Sequence, residues 1–156
     1  MRGISVLLSM LFVFIMATSS HAADSDAVLG VWDTEKKDAR IEIYKCGGKY
    51  CGRIVWMKEP NYTAYDKAGR IGKPIVDDKN PNPEVRNRPV LGLTIMKDFA
   101  YAGENHWEDG KVYDPETGKT YSATMTLASP RRLHLRGYIL FSLFGRTSTW
   151  TRADHN

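Results

Sequence analysis

Apolar and polar residues alternate along most of the chain beyond residue 28, and the alternating runs are separated by Gly, Pro, Asn and Asp. Period-two alternation puts successive side chains on opposite faces of a strand, so each run predicts a strand with one buried and one wet face. In Tyr121-Ser-Ala-Thr-Met-Thr-Leu127, the residues Tyr121, Ala123, Met125 and Leu127 share one face, and Ser122 with the two threonines share the other. Leu133, Leu135 and Gly137 repeat the pattern after the Ser129-Pro130 break, which predicts a hairpin. A second hairpin is predicted around Asp114-Pro-Glu-Thr-Gly118, where Pro suits the second position of a turn and Gly accepts the positive φ that follows. Strands are expected at 29–33, 40–46, 51–57, 90–97, 106–113, 120–127, 132–139 and 146–152, with a turn at Asp109-Gly110. The pattern predicts an all-β protein. An antiparallel up-and-down barrel of about eight strands fits it, and a two-sheet sandwich fits the same strand count and turn spacing.

The first hairpin can be read residue by residue. Pairing Cys46 with Cys51 across Gly47-Gly48-Lys49-Tyr50 sets Tyr44 opposite Arg53, Ile43 opposite Ile54 and Ile41 opposite Trp56. The isoleucines and Trp56 then share the inner face and the cysteines the outer one. Two cysteines so placed are expected to form a disulfide in an oxidising compartment, against free thiols or a metal site. A redox C-x-x-C motif needs two intervening residues, and four lie here. Near the two ends, Gly30-Val31-Trp32 and Trp150-Thr151-Arg152 read as the edges of one seam. Gly30, Trp32, Trp150 and Arg152 are the expected closure residues, with the guanidinium stacked on an indole.

Alternation stops between Trp56 and Val90. The segment from Lys58 to Pro89 carries Pro60, Pro74, Pro81 and Pro83 before Pro89. Connections of that length are lids, binding loops or folded excursions, so this long loop after the third strand is the first place to seek function. Within it, Arg86 and Arg88 offer forked donors to a polar or anionic group, or to the loop's own carboxylates and carbonyls. The apolar run Ile139–Phe144 either continues a strand into the core or lines a pocket mouth.

The chain opens with Arg2, an apolar stretch from Ile4 to Ala17 and the small-x-small site Ser20-His21-Ala22, which together predict a secretory signal over residues 1–22. The stretch is shorter than the ~20 residues of a spanning helix. A single domain over residues 23–156 is expected in the periplasm or outside the cell, with no transmembrane segment after cleavage. Removing Arg2 leaves 21 basic against 18 acidic residues, a net charge of +3. That excess is mild and scattered, which disfavours a nucleic-acid binder.

Motifs that carry chemistry are sparse. Thr117-Gly118-Lys119-Thr120 mimics the end of a phosphate loop, but Tyr113 stands where its first glycine belongs and a strand follows instead of a helix. Asp78, Asn80, Asn82 and Glu84 alternate like calcium ligands, yet Pro83 replaces the glycine of such loops, so a capped turn before a short helix over Pro83–Arg86 is the better reading. His106, His134 and His155 have no metal-ligand spacing, and no serine sits in a nucleophile elbow. The sequence therefore points to no metal, no cofactor and no catalytic set.

Gly30-Val-Trp32, Cys46 with Cys51-Gly-Arg-Ile-Val-Trp56, Asn80-Pro-Asn-Pro83, Arg86-Asn-Arg-Pro-Val-Leu-Gly92, Gly110-Lys-Val-Tyr-Asp-Pro115, Gly118-Lys-Thr-Tyr121, Arg136-Gly-Tyr138, Phe144-Gly-Arg-Thr147 and Thr149-Trp-Thr-Arg152 span nearly the whole mature chain. Together they resemble the small exported bacterial proteins of domain of unknown function 2147. The resemblance implies a lipocalin-like barrel and brings no activity, cofactor or catalytic residue. The expected function is non-enzymatic binding of a small apolar or amphipathic molecule. Ile43, Ile54, Trp56, Met125 and Leu135 would meet the apolar body, and Arg86 or Arg88 the polar head. An interaction module with a filled core, docking a protein or the envelope, is the alternative, and an enzyme on a barrel is a third class. Alternation does not separate a solid interior from a hollow one.

Overall fold

Eight antiparallel strands join in sequence order and close on themselves, so the sheet has no free edge. They are β1 (Gly30–Asp33), β2 (Ala39–Cys46), β3 (Lys49–Met57), β4 (Thr94–Gly103), β5 (His106–Asp114), β6 (Lys119–Ser129), β7 (Arg132–Tyr138) and β8 (Gly145–Arg152). The computed structural model describes residues 24–64, 68–138 and 145–154. The expected signal at 1–22, the apolar run Ile139–Phe144 and His155 lie outside the described residues. The barrel, not the sandwich, is the architecture, and the long connection after β3 is present. No helix among the described residues is long and apolar enough to cross a membrane.

The seam closes as β1 pairs β8, with Trp32 opposite Arg152 and Asp33 opposite Thr151. Arg152 caps that end: its guanidinium lies 4.2 Å from the Trp32 ring and donates to the carbonyls of Leu29, Ala27 and Pro130. Trp32 in turn donates its indole N–H to Val28 O at 2.9 Å. Gly30 is required beside it, since its φ is +118° and a Cβ would stand 3.0 Å from Arg152 Nη1. Burial desolvates the Arg152 guanidinium and, with the nearby Arg131 charge, lowers its pKa.

Three readings of the first hairpin need correction. The first hairpin turns on two residues, not four: Gly47 and Gly48 both take positive φ, as two-residue hairpin turns demand, and Cys46 faces Lys49 while Cys51 faces Tyr44. The Cys46–Cys51 disulfide forms nonetheless, running diagonally past the Lys45–Tyr50 rung with the Cα atoms 5.9 Å apart. Ile41 therefore pairs with Ile54 and Ile43 with Gly52, where the absent side chain makes room for Met96. Trp56 does not face inward: Arg40 pairs with Trp56 while Ile41 pairs with Ile54, leaving Val55 as an extra residue that inverts the alternation. Trp56 is 41% exposed under the Arg40 guanidinium, and Met57 packs on the core in its place.

The expected turn at Asp109-Gly110 is instead an irregularity inside β5, and the expected fourth strand at 90–97 begins at Thr94 and runs on to Gly103. The β4–β5 hairpin turns at Glu104 and Asn105, both at positive φ. Gly110 marks a packing need: the Phe99 ring fills the space a Cβ would take, 2.2 Å away. Hairpins form at 114–119 and 129–132, as expected.

Candidate functional site

Strand direction sorts the connections. Those at 34–38, 58–93 and 115–118 share one end, while the hairpin turns at 47–48, 104–105 and 130–131 share the other. The second end is filled: Trp32, Phe99, Trp107 and Leu133 are wholly buried, and Tyr50 meets the Trp107 ring edge-on at 6.1 Å. A barrel of eight strands has just enough width for this. The interior is packed there beneath a cavity at the turns lined by Asn105, Leu127 and Pro130, and cavities also lie at the end that carries the long connection.

Two cavities lie at the open end. One, of about 510 Å³, is walled by Val112, Tyr121, Leu135 and Gly137 from the inner face, with Ser148 and Arg146 toward the rim. The other, of about 600 Å³, lies between the barrel residues Ile54 and Met57 and the long-loop residues Tyr62, Ile75 and Val90, with Lys58 and Lys79 beside them. Arg146 reaches Glu35 at 3.7 Å and is otherwise open to solvent.

The long loop is a folded excursion. Ile75 donates to Pro60 O and Val90 to Ile75 O, while Asp77 donates to Arg88 O, so the segment pairs with itself. Asn82 caps a 3-10 turn over Pro83–Val85 by accepting from Glu84 N. Its anchor is Asp77, whose carboxylate is fully buried. One oxygen accepts from the Tyr113 hydroxyl, and the other from Asn80 Nδ2 at 2.8 Å and from Arg88 Nε and Nη2 at 3.0 and 2.8 Å. Burial, with the Asp77 carboxylate beside it, pushes the Tyr113 hydroxyl up to about 12. Gly118 lets the loop seat on the β5–β6 turn: its φ is +70°, and a Cβ would meet Lys79 O at 2.0 Å.

These positions redistribute the residues singled out from sequence. Ile54 and Leu135 each border an open-end cavity, whereas Ile43 and Met125 lie within the packed interior and border neither. Trp56 is on the outer surface. Arg88 is held by Asp77, and Arg86 donates to Asn80 O at 2.6 Å; neither borders the open-end cavities. Arg88 borders instead a third cavity of about 700 Å³ on the outer wall, between the long loop and strands β4 and β5. Asp77, Tyr113 and Arg146 escaped sequence reading. Alternation placed Tyr121 on the inner face with Met125, but did not show that it borders a cavity.

A solved structure from Helicobacter pylori, protein HP1028, described as belonging to the lipocalin family, superposes with a TM-score of 0.67 at 24% identity, covering 81% of this chain and 82% of that one. That likeness shows a lipocalin-like fold. No curated protein matches the chain significantly. The sequence pattern described as "uncharacterized protein conserved in bacteria" matches residues 30–152, most of the chain and every strand of the barrel, and the chain therefore belongs to the bacterial family DUF2147.

Proposed function

We propose that the protein is an exported, non-enzymatic carrier or sensor of a small amphipathic molecule, taken up at the open end of the barrel. The supporting observation is the cavity of about 510 Å³ bounded by Val112, Tyr121 and Leu135, with Arg146 and Asp114 among the residues that line it. An apolar chain there gains roughly 25 cal/mol per Å² removed from water, before the costs of ordering. Arg146 supplies the charge for an anionic head, the role that the sequence suggested for Arg86 or Arg88. Relatives of the fold fit this reading: the H. pylori neighbour is described as a lipocalin. The Asp77 cluster supports binding over catalysis, because its oxygens are taken by residues that hold the loop in place. Export agrees with the disulfide.

Titration with oleate and with retinol, followed by tryptophan fluorescence, tests the reading, together with native mass spectrometry of protein from its own periplasm. Saturable quenching that is lost in Leu135→Trp, and weakened for oleate but not retinol in Arg146→Gln, is expected. Flat titrations and consistently empty protein would overturn it.

A further inference from the structure

The outer groove of about 700 Å³ is a different environment from the barrel mouth. Its cations are Arg88, Lys97 and Lys111, and no carboxylate lines it among the described residues. Lys97 and Lys111 are direct cross-strand partners in the β4–β5 ladder, and both are exposed. Like charges set opposite each other on one sheet face are destabilising, and nothing nearby neutralises them: neither lysine has an ion-pair partner among the described residues. Lys111 is steered by a bond to Ser122 Oγ at 2.7 Å. Across the groove, Arg88 is bound to Asp77 through Nε and Nη2, which fixes the guanidinium plane and leaves Nη1 without a partner among the described residues. Leu91, 45% exposed, adds an apolar wall.

We infer that this groove binds the phosphate group of a soluble organic phosphate ester, with Lys97 and Lys111 sharing the oxyanion, Arg88 Nη1 donating to it, and the organic body lying on Leu91. With Arg88 already paired to Asp77, the two lysine charges match a dianion better than a carboxylate's single charge, and a bound phosphate removes the repulsion built into the lysine pair. The groove exceeds the size of the bare ion, which leaves room for the ester's body. The site is separate from the barrel mouth, so it stands or falls independently of the carrier reading.

Phenyl phosphate, inorganic phosphate and benzoate, titrated into the intact protein by calorimetry and by amide chemical shifts of residues 92–97 and 111–120, test it. Phenyl phosphate is expected to bind saturably and tighter than the other two, with affinity falling as salt rises. Lys97→Gln and Lys111→Gln should each weaken it about fivefold, the scale of one exposed charge contact. Both variants should keep or raise the melting temperature of the free protein; a structural role for the lysines would lower it. No saturable shift with phenyl phosphate, or a shift that survives in the double variant, would overturn the assignment. Co-sedimentation with phosphatidylglycerol vesicles, but no response to phenyl phosphate, would overturn it in favour of a lipid headgroup.

Discussion

Asp77 shows how one buried carboxylate organises a region. It collects bonds from Tyr113 on β5 and from Asn80 and Arg88 on the loop, so its free energy depends on all three staying in place. Asp77→Ala strands a buried hydroxyl, an amide and a guanidinium together, and chemical denaturation should report a loss of about 3 kcal/mol. The Tyr113 hydroxyl gives the cluster a pH signature. Its ordinary value is near 10 and its folded value about 12, so over that window the unfolded chain gives up the proton while the native protein keeps it. Stability must fall as pH rises from 10 to 12, and Tyr113→Phe should show a shallower fall in melting temperature over the same range. None of this was legible beforehand, because Asp77 and Tyr113 are 36 residues apart and share no pattern.

The elements themselves were largely legible. Alternation found all the strands, and the turns at Pro115–Gly118 and Pro130-Arg131 announced themselves through residues whose backbone preferences suit no other role there. What alternation cannot see is an extra residue. Val55 inverts the end of β3 and sends Trp56 outward, and the irregularity at Asp109-Gly110 mimics a turn because the same residue types serve both. Requiring the cysteines to face each other hid the tighter Gly47-Gly48 turn, although two adjacent glycines are its plainest signal. Gly110 separates the two readings experimentally. If its purpose is to admit the Phe99 ring, Gly110→Ala crowds the core and should cost about 2 kcal/mol in urea denaturation, and Phe99→Leu should restore part of that loss.

At the scale of the molecule, the barrel interior is packed around the buried aromatics and bordered by cavities toward the long connection. Closure was readable from the tryptophan-bearing ends, but the division between a filled end and an open one was not, since inward-facing residues read the same whether or not they touch. Leu135 borders a cavity and Met125, its neighbour across the β6–β7 ladder, does not. The filled end is held by Arg152, whose replacement by Ala removes the stack on Trp32 and its bonds to three carbonyls. A loss of about 3 kcal/mol is expected by thermal and chemical denaturation, with Arg152→Lys recovering little because an ammonium lacks the planar fork.

The same clasp sets the order of events while the polypeptide is being made. Its contacts join residues 123 and 125 positions apart, so the first strand has only one neighbour until the last one emerges. During that interval β1 is a bare edge open to any passing strand. A chain cut short before residue 152 therefore leaves an open sheet primed to pair with its own siblings, and β8 determines whether the product is a closed cylinder or a clump.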